Sequence, residues 1–358
     1  MKKLRGAFIG FGNIAELGHW PSYAKSEDAE IVAVMDSSDA RQQAAKALSP
    51  ALHIYSTLDE LFRSETLDFV DICTPPSSHA DIALKALKHH CHVLCEKPLT
   101  LKISDYLELS KAAAKAERAV YTVHNWKFAP IFQTAFALLE NGRIGKVWHV
   151  EIFTLRDNVC KGTEEGDRER LHENWRTNIS VAGGGILVDH GWHSFYLLLN
   201  VVNADPQKIL AKMLKDGQDP ESLEEAVQTL VQFAEADGYV HLTWRAKMRR
   251  NNMIIQGQTG TLLIDDNRIL LTTHNGLREE IQFETALSAG SHHADWFQAL
   301  LPDFIAEIKD PAKRGANFRE AGWCLALTTA AYQSNLQGFK EVPVHFPGTP
   351  KPETSLTR

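Results

Sequence analysis

Gly10-Phe11-Gly12-Asn13-Ile14-Ala15 is the stretch on which the fold turns. It follows a short apolar run, residues 7–9, and precedes a segment of helix-forming composition, residues 14–25. A G-x-G-x-x-A sequence set between strand and helix is a dinucleotide-binding signature. Gly10 permits the tight turn, Gly12 lets the backbone approach a pyrophosphate, and Ala15 lets the helix pack close on the sheet. The unpaired N–H groups at the helix start then receive the anion. Phe11, Asn13 and Ile14 complete the loop. Asp36 ends the second predicted strand about two dozen residues on, where a carboxylate accepts hydrogen bonds from ribose hydroxyls and repels a 2'-phosphate. The cofactor expected is NAD. NADP stays open, because Arg41 and the serines at 37 and 38 stand where they can assist a phosphate.

Outward from this loop, apolar runs at 31–35, 69–73, 93–95 and 119–123 alternate with helical-period segments at 39–47, 79–89 and 103–116, the last with Ser104 as its N-cap. That alternation is the grammar of βαβ units building a doubly wound parallel sheet, a Rossmann domain over residues 1–122. From Val147 the pattern changes to longer alternating strands (147–154, 226–235, 239–246), which predicts a large, open, mostly antiparallel sheet in an α+β domain over residues 123–346. In 239–246, Val240, Leu242, Trp244 and Ala246 form an apolar face. Tyr239, His241, Thr243 and Arg245 form a mixed one, either wet or the surface on which two subunits pair. Helices return at 292–309, opened by His292-His293 with Ser291 as cap, and at 317–335. Residues 158–174 read as a long loop and 347–358 as a tail.

The chain has 358 residues, too many for one hydrophobic core, and 44% of them are hydrophobic, so two ordinary globular domains are expected. Its 38 basic against 45 acidic residues leave a formal charge of -7, which disfavours nucleic acid and anionic membranes and points to a small-molecule partner. Five cysteines without metal-finger spacing fit a reducing compartment rather than a disulfide framework. The start lacks the features of a signal peptide, and charged residues interrupt even the most apolar segment, so a cytoplasmic location without membrane spans is expected.

Three more motifs carry chemistry. Thr74-Pro75-Pro76 with His79 lies at a strand end, on the sheet edge where open α/β sheets bind ligands. Glu96-Lys97-Pro98 follows the next strand and sets a cation on that same edge. Gly183-Gly184-Gly185 leads into Asp189, His190 and His193. In a helix running from Ile186, Asp189 and His193 share a face and the carboxylate orients the imidazole, while His190 points elsewhere. Sixteen histidines invite a zinc reading of His190, His193, His292 and His293, but no cysteine or carboxylate set accompanies them at metal-site spacing, and no metal is expected.

Taken in this order, with His19 after the glycine loop and Trp175-Arg176 before the glycine triplet, these motifs resemble the Gfo/Idh/MocA oxidoreductases over nearly the whole chain. The resemblance implies a nicotinamide cofactor, a sugar-like or cyclitol substrate, and a homodimer or homotetramer joined through the C-terminal sheet. It assigns Thr74, Pro75, His79, Glu96 and Lys97 to the cofactor site along with Asp36 and the glycine loop. Tyr196 departs from the family's frequent acid three residues after the histidine, and Lys127 from a frequent arginine.

Oxidising a secondary alcohol needs a base and a stabiliser of alkoxide charge. Lys97, Asp189 and His193 are the catalytic candidates: His193 as general acid/base oriented by Asp189, Lys97 holding the oxyanion, with the two roles open to exchange. Asn125, Trp126, Lys127, Arg156, Trp175 and Arg176 join them as candidate substrate contacts. The alternatives are a glycoside-cleaving enzyme that uses transient NAD redox and a non-catalytic dinucleotide sensor.

Overall fold

The alternation in the first third of the chain forms β1 (Leu4–Ile9), β2 (Ala29–Met35), β3 (His53–Tyr55), β4 (Phe69–Ile72), β5 (His92–Cys95) and β6 (Val120–Thr122). They pair in the order β3-β2-β1-β4-β5-β6, every pair parallel. This is a computed structural model, and it describes residues 2–157, 175–215 and 222–349. The predicted loop at 158–174 and most of the tail lie outside the described residues. β4 and β5 are buried along their whole length, as strands covered on both faces must be. The strand order reverses between β1 and β4, which makes their C-terminal ends a topological switch point. β3 escapes sequence reading because it is a three-residue edge strand.

The crossovers are a π-helix (Ile14–His19) running into α1 (Trp20–Tyr23), then α2 (Asp39–Leu48), α3 (Leu58–Ser64), α4 (His79–Lys88) and α5 (Ile103–Ala116). Ser104 does not cap α5. The cap is Lys102, and Ser104 sits inside the first turn with its hydroxyl on Asp105 Oδ1.

The second sheet comprises β7 (Val147–Asp157), β8 (Lys208–Lys215), β9 (Glu224–Gln232), β10 (Asp237–Thr243), β11 (Arg245–Gly257), β12 (Gly260–Asp265), β13 (Arg268–Thr273), β14 (Arg278–Gln282) and β15 (Val342–Pro343). Its order is β14-β13-β12-β11-β7-β10-β9-β8-β15 among the described residues, antiparallel except for the parallel pair β7 and β10. The run expected as one strand at 239–246 is two: β10 ends at Thr243 and β11 starts at Arg245. Val240, Leu242 and Trp244 are buried as read from the alternation.

The remaining helices are α6 (Pro130–Glu140), α7 (Ile179–Ala182), α8 (Trp192–Val202), α9 (Ala294–Lys309) and α10 (Ala316–Leu336). α8 packs on β7 and α10 on β8, which covers one face of the second sheet. α9 leaves that sheet and returns to the parallel one, where Phe297, Leu300, Leu301 and Phe304 pack with Phe8, Tyr23 and Phe69. The helical segment after the glycine loop ends at Tyr23, too short to cover that face alone, and the core is completed from residues far along the chain. The N-cap of α9 is His293 in a left-handed conformation (φ 43°), not Ser291. No helix among the described residues is long and apolar enough to cross a membrane.

Candidate active site

The glycine loop is held from both sides. Gly10 has φ +84°, and a Cβ there would come within 2.8 Å of Thr74. Its N–H donates to Met35 O at 2.8 Å, and the ring of Phe11 is fully buried. Asp36 accepts from Phe11 N at 2.7 Å and Ser38 N at 2.9 Å. A carboxylate has about four acceptor positions, so it retains capacity for ribose hydroxyls. A Cβ on Gly12 would meet nothing within 4 Å, and the π-helix after it has no side-chain cap. Open space above the second glycine beside an uncapped helix start suits a pyrophosphate. The residues therefore fit the dinucleotide that the sequence implies. Arg41 lies against the loop, donating to Asn13 Oδ1 at 2.8 Å and pairing with Glu16 at 3.6 Å. We expect Gly12→Ala to keep the wild-type Tm within about 2 °C and to weaken NADH binding more than about tenfold, checked by thermal unfolding and fluorescence titration.

His79 and Glu96 face inward. The His79 ring is fully buried, Nδ1 lying 2.8 Å from Pro98 O and Nε2 2.7 Å from Thr74 O. Packed between these two carbonyls and donating to one of them, it sits inside the wall between the Thr74-Pro75 and Lys97-Pro98 turns, a correction to its reading as a cofactor contact. The Lys97-Pro98 peptide is cis. Glu96 Oε1 lies 3.2 Å from His19 Nε2, and His19 Nδ1 lies 2.9 Å from Asp71 Oδ2, which also accepts from Tyr23 OH. Cys73 completes this buried group, its thiol 3.4 Å from Asp71 Oδ1. These hydrogen bonds account for the close approach of the His19, Asp71 and Cys73 donor atoms.

Burial alone would lower the His19 pKa, but the Asp71 and Glu96 carboxylates more than offset it and raise it to about 9. A raised pKa contributes stability below the unfolded value of about 6.5 and loses it as pH climbs through the folded value. Wild-type Tm should therefore fall between pH 6.5 and 9, with a slope that His19→Asn lacks. Equal slopes in both proteins would remove His19 from the account.

At the catalytic candidates the structure departs from the predicted pairing. Residues Leu187–Gly191 form a π-helix before α8, so four residues no longer make one turn and Asp189 does not reach His193. Asp189 Oδ2 lies 3.0 Å from His190 Nδ1 instead, and Lys97 Nζ donates to Asp189 O at 2.5 Å and reaches Oδ1 at 3.3 Å. Arg156 Nε donates to His190 Nε2 at 3.1 Å, and its Nη2 to Asn251 Oδ1 at 3.0 Å. His190, expected to point elsewhere, thus lies between Asp189 and Arg156. Burial would raise the Asp189 pKa, but His190, Lys97 and Arg176 outweigh it and hold the carboxyl well below the usual range. Burial lowers His190 to about 4.

His193 bonds instead with Tyr196, Nδ1 to OH at 2.8 Å, and stacks on Trp126 at 5.1 Å between ring centroids. Burial, then the Lys97 charge, pushes its pKa well below the ordinary value. The Arg176 guanidinium lies 4.4 Å over the Trp175 ring.

Lys127 is not directed at this cluster. Its ammonium lies 3.0 Å from Glu320 Oε2, the oxygen that also holds His124 Nδ1. Burial would raise the Glu320 pKa, but Lys127 and His124 bring it down to about 2.

Glu224, His190 and Tyr196 are the residues that sequence reading missed as site-builders. Glu224 is 2% exposed, and its Oε1 accepts from Gly185 N, Leu187 N and Tyr332 OH, pinning the turn that launches the π-helix. A lone glutamate at a strand start carries no local signal of this.

Residues 4–124 match the Gfo/Idh/MocA model described as an oxidoreductase family with an NAD-binding Rossmann fold, and residues 132–263 match the Gfo/Idh/MocA C-terminal domain. The chain belongs to this family. Among its relatives, myo-inositol 2-dehydrogenase of Thermotoga maritima is 25% identical over 92% of this chain and 96% of its own. An uncharacterised oxidoreductase of Schizosaccharomyces pombe is 28% identical over 68% of this chain and 63% of its own length. A levoglucosan dehydrogenase solved with NADH and levoglucosan shares the fold, with a TM-score of 0.81 at 18% identity over 96% of this chain and 100% of that one. The family assignment makes this protein an NAD-binding oxidoreductase, with the glycine loop at the switch point of its Rossmann sheet and Asp36 at the end of the neighbouring β2.

Proposed function

We propose that this member of the family is an NAD-dependent dehydrogenase that exchanges a hydride with a secondary alcohol or ketone of a sugar, cyclitol or sugar derivative. The observation that carries the reading is the meeting of Lys97, from the end of β5, with Asp189 of the π-helix at 2.5 Å, beside His193. An ammonium and an imidazole at the switch-point edge provide proton transfer and alkoxide stabilisation without a metal. When bound, the nicotinamide supplies the hydride acceptor. Lys97 and His193 handle the proton and the charge on oxygen. Trp126, whose ring stacks on His193, and Asn125, Arg156, Trp175 and Arg176 are the residues proposed to contact a polyhydroxylated substrate. The inositol and levoglucosan dehydrogenases among its likenesses support that class. Asp36 favours NAD over NADP, since Arg41 is already engaged by Asn13 and Glu16.

The test is an absorbance screen at the NADH band over polyols, free sugars, glycosides and sugar acids, run with NAD and with NADP. Turnover with at least one polyhydroxylated substrate, faster with NAD, is the expected outcome. Neither cofactor binding nor turnover across the panel would refute the reading.

We further propose that the protein self-associates through the second sheet. Across its uncovered face, Leu270, Leu263, Ile254, Glu151, Tyr239, Leu230 and Leu210 are successive register partners, a row that is apolar apart from Glu151. Leu230 is 47% exposed in the single chain. Such a stripe suits pairing with a second copy.

A further inference from the structure

The hydroxyl of Tyr196 decides which nitrogen of His193 carries the proton. Tyr196 follows His193 by three residues on α8, is fully buried, and stacks its ring on His124 at 4.4 Å. Its oxygen accepts from Trp126 N at 3.1 Å and lies 2.8 Å from His193 Nδ1. A phenol has one proton to give and two lone pairs. Trp126 occupies one lone pair, and among the described contacts Nδ1 is the acceptor within reach of the hydroxyl proton. If Nδ1 carried a proton, the tyrosine O–H would be sealed in the core without an acceptor, which native structures avoid.

We propose that Tyr196 is a positioning residue that locks His193 as the Nε2–H tautomer, so that His193 serves the reaction as a hydrogen-bond donor to the substrate oxygen and the hydroxyl proton passes to Lys97. This rests on the dehydrogenase reading above. In the alcohol-to-ketone direction the substrate O–H bond breaks and a new N–H bond forms on the Lys97 amine, which becomes an ammonium. The C–H electron pair leaves as hydride for oxidised nicotinamide, and C=O forms. Asp189 O and Oδ1 engage two positions on the Lys97 nitrogen and leave the third for the substrate oxygen. In the reverse direction the ammonium returns the proton while His193 Nε2–H polarises the ketone.

The charges around the imidazole agree. Lys97 after β5, His190 on the π-helix and His124 after β6 all oppose a second proton on the ring, and Asp189 alone among its near neighbours favours one. Asp189 is itself engaged with Lys97 and His190. A carboxylate at position 196 would act in the opposite sense: it would accept Nδ1–H and free Nε2 to act as base.

The tautomer is read directly from long-range proton–nitrogen correlation spectra of the cofactor-free, nitrogen-15-labelled protein, with His193→Gln to assign the ring. The expected result is an unprotonated Nδ1 and a protonated Nε2, unchanged from pH 6 to 8. In Tyr196→Phe the lock is gone. The two ring nitrogens should then share the proton, and kcat should fall roughly ten- to a hundredfold with KM within about twofold. Tyr196→Asp should move the proton to Nδ1. A protonated Nδ1 in the wild type overturns the proposal, as does a Tyr196→Phe protein whose nitrogen shifts and kcat match wild type. Should that core variant fail to fold, the wild-type spectrum alone decides. Because the spectrum needs no substrate, an inactive protein with an Nε2–H ring would fail the dehydrogenase reading and leave the tautomer assignment standing.

Discussion

Replacing Lys97 with methionine lowers kcat by about a thousandfold and leaves NADH affinity within about threefold of wild type. Methionine keeps most of the aliphatic stem and removes only the group that meets Asp189 at 2.5 Å. The loss should therefore fall on chemistry, with little change in packing or cofactor binding. Fluorescence titration with NADH and initial rates on the best substrate from the screen separate the two quantities. A loss of kcat smaller than tenfold would take Lys97 out of the proton pathway. The same variant leaves Asp189 without its lysine in a largely buried place, so a parallel Tm measurement distinguishes lost chemistry from a loosened π-helix.

The second large effect is structural. Gly185→Ala should destabilise the protein by about 3 kcal/mol or more, and abolish activity even where some fold survives. A Cβ at Gly185 would lie 2.1 Å from the backbone oxygen of Glu224 and 2.9 Å from its nitrogen. Backbone of a central sheet strand cannot move aside as a flexible side chain can. The turn would have to pull away from β9, break the Glu224 bonds to Gly185 N and Leu187 N, and carry Asp189, His190 and His193 with it. Thermal unfolding and near-ultraviolet circular dichroism measure this. Gly12→Ala is the matched control, since that glycine faces open space. Equal stability of the two variants would mean that the glycine triplet is not held as described.

The parallel sheet was legible in the sequence because it is made of local units. Each strand that covers both faces reads as an apolar run, each crossover as a helical period, and the glycine loop between β1 and the first helix marks the switch point. What failed there failed for local reasons too: β3 is too short to show a period, and Ser104 and Ser291 have the right side chain for a cap in the wrong backbone position. The second sheet was legible as alternation but not as order, because the pairing of β7 with β10 in parallel joins segments 88 residues apart, Asp237 against His149.

The candidate catalytic cluster divides along the same line. Lys97, Asp189 and His193 are visible as residue types at strand ends and after a glycine triplet, and the sequence names them. Their partners are not visible, because a helical period of 3.6 predicts Asp189 over His193 and the chain instead widens into a π-helix there. That change gives Asp189 to His190 and Lys97 and gives His193 to Tyr196. Nothing in the local residues announces it. It depends on Glu224 across the domain holding the turn and on Trp126, from the segment after the parallel sheet, meeting the tyrosine hydroxyl. Composition and period determined the two sheets, the dinucleotide loop and the candidate catalytic side chains. The tertiary structure alone decided which oxygen or nitrogen each of them faces, because hydrogen-bond partners in a buried site are set by distances between segments that the chain brings together only when folded.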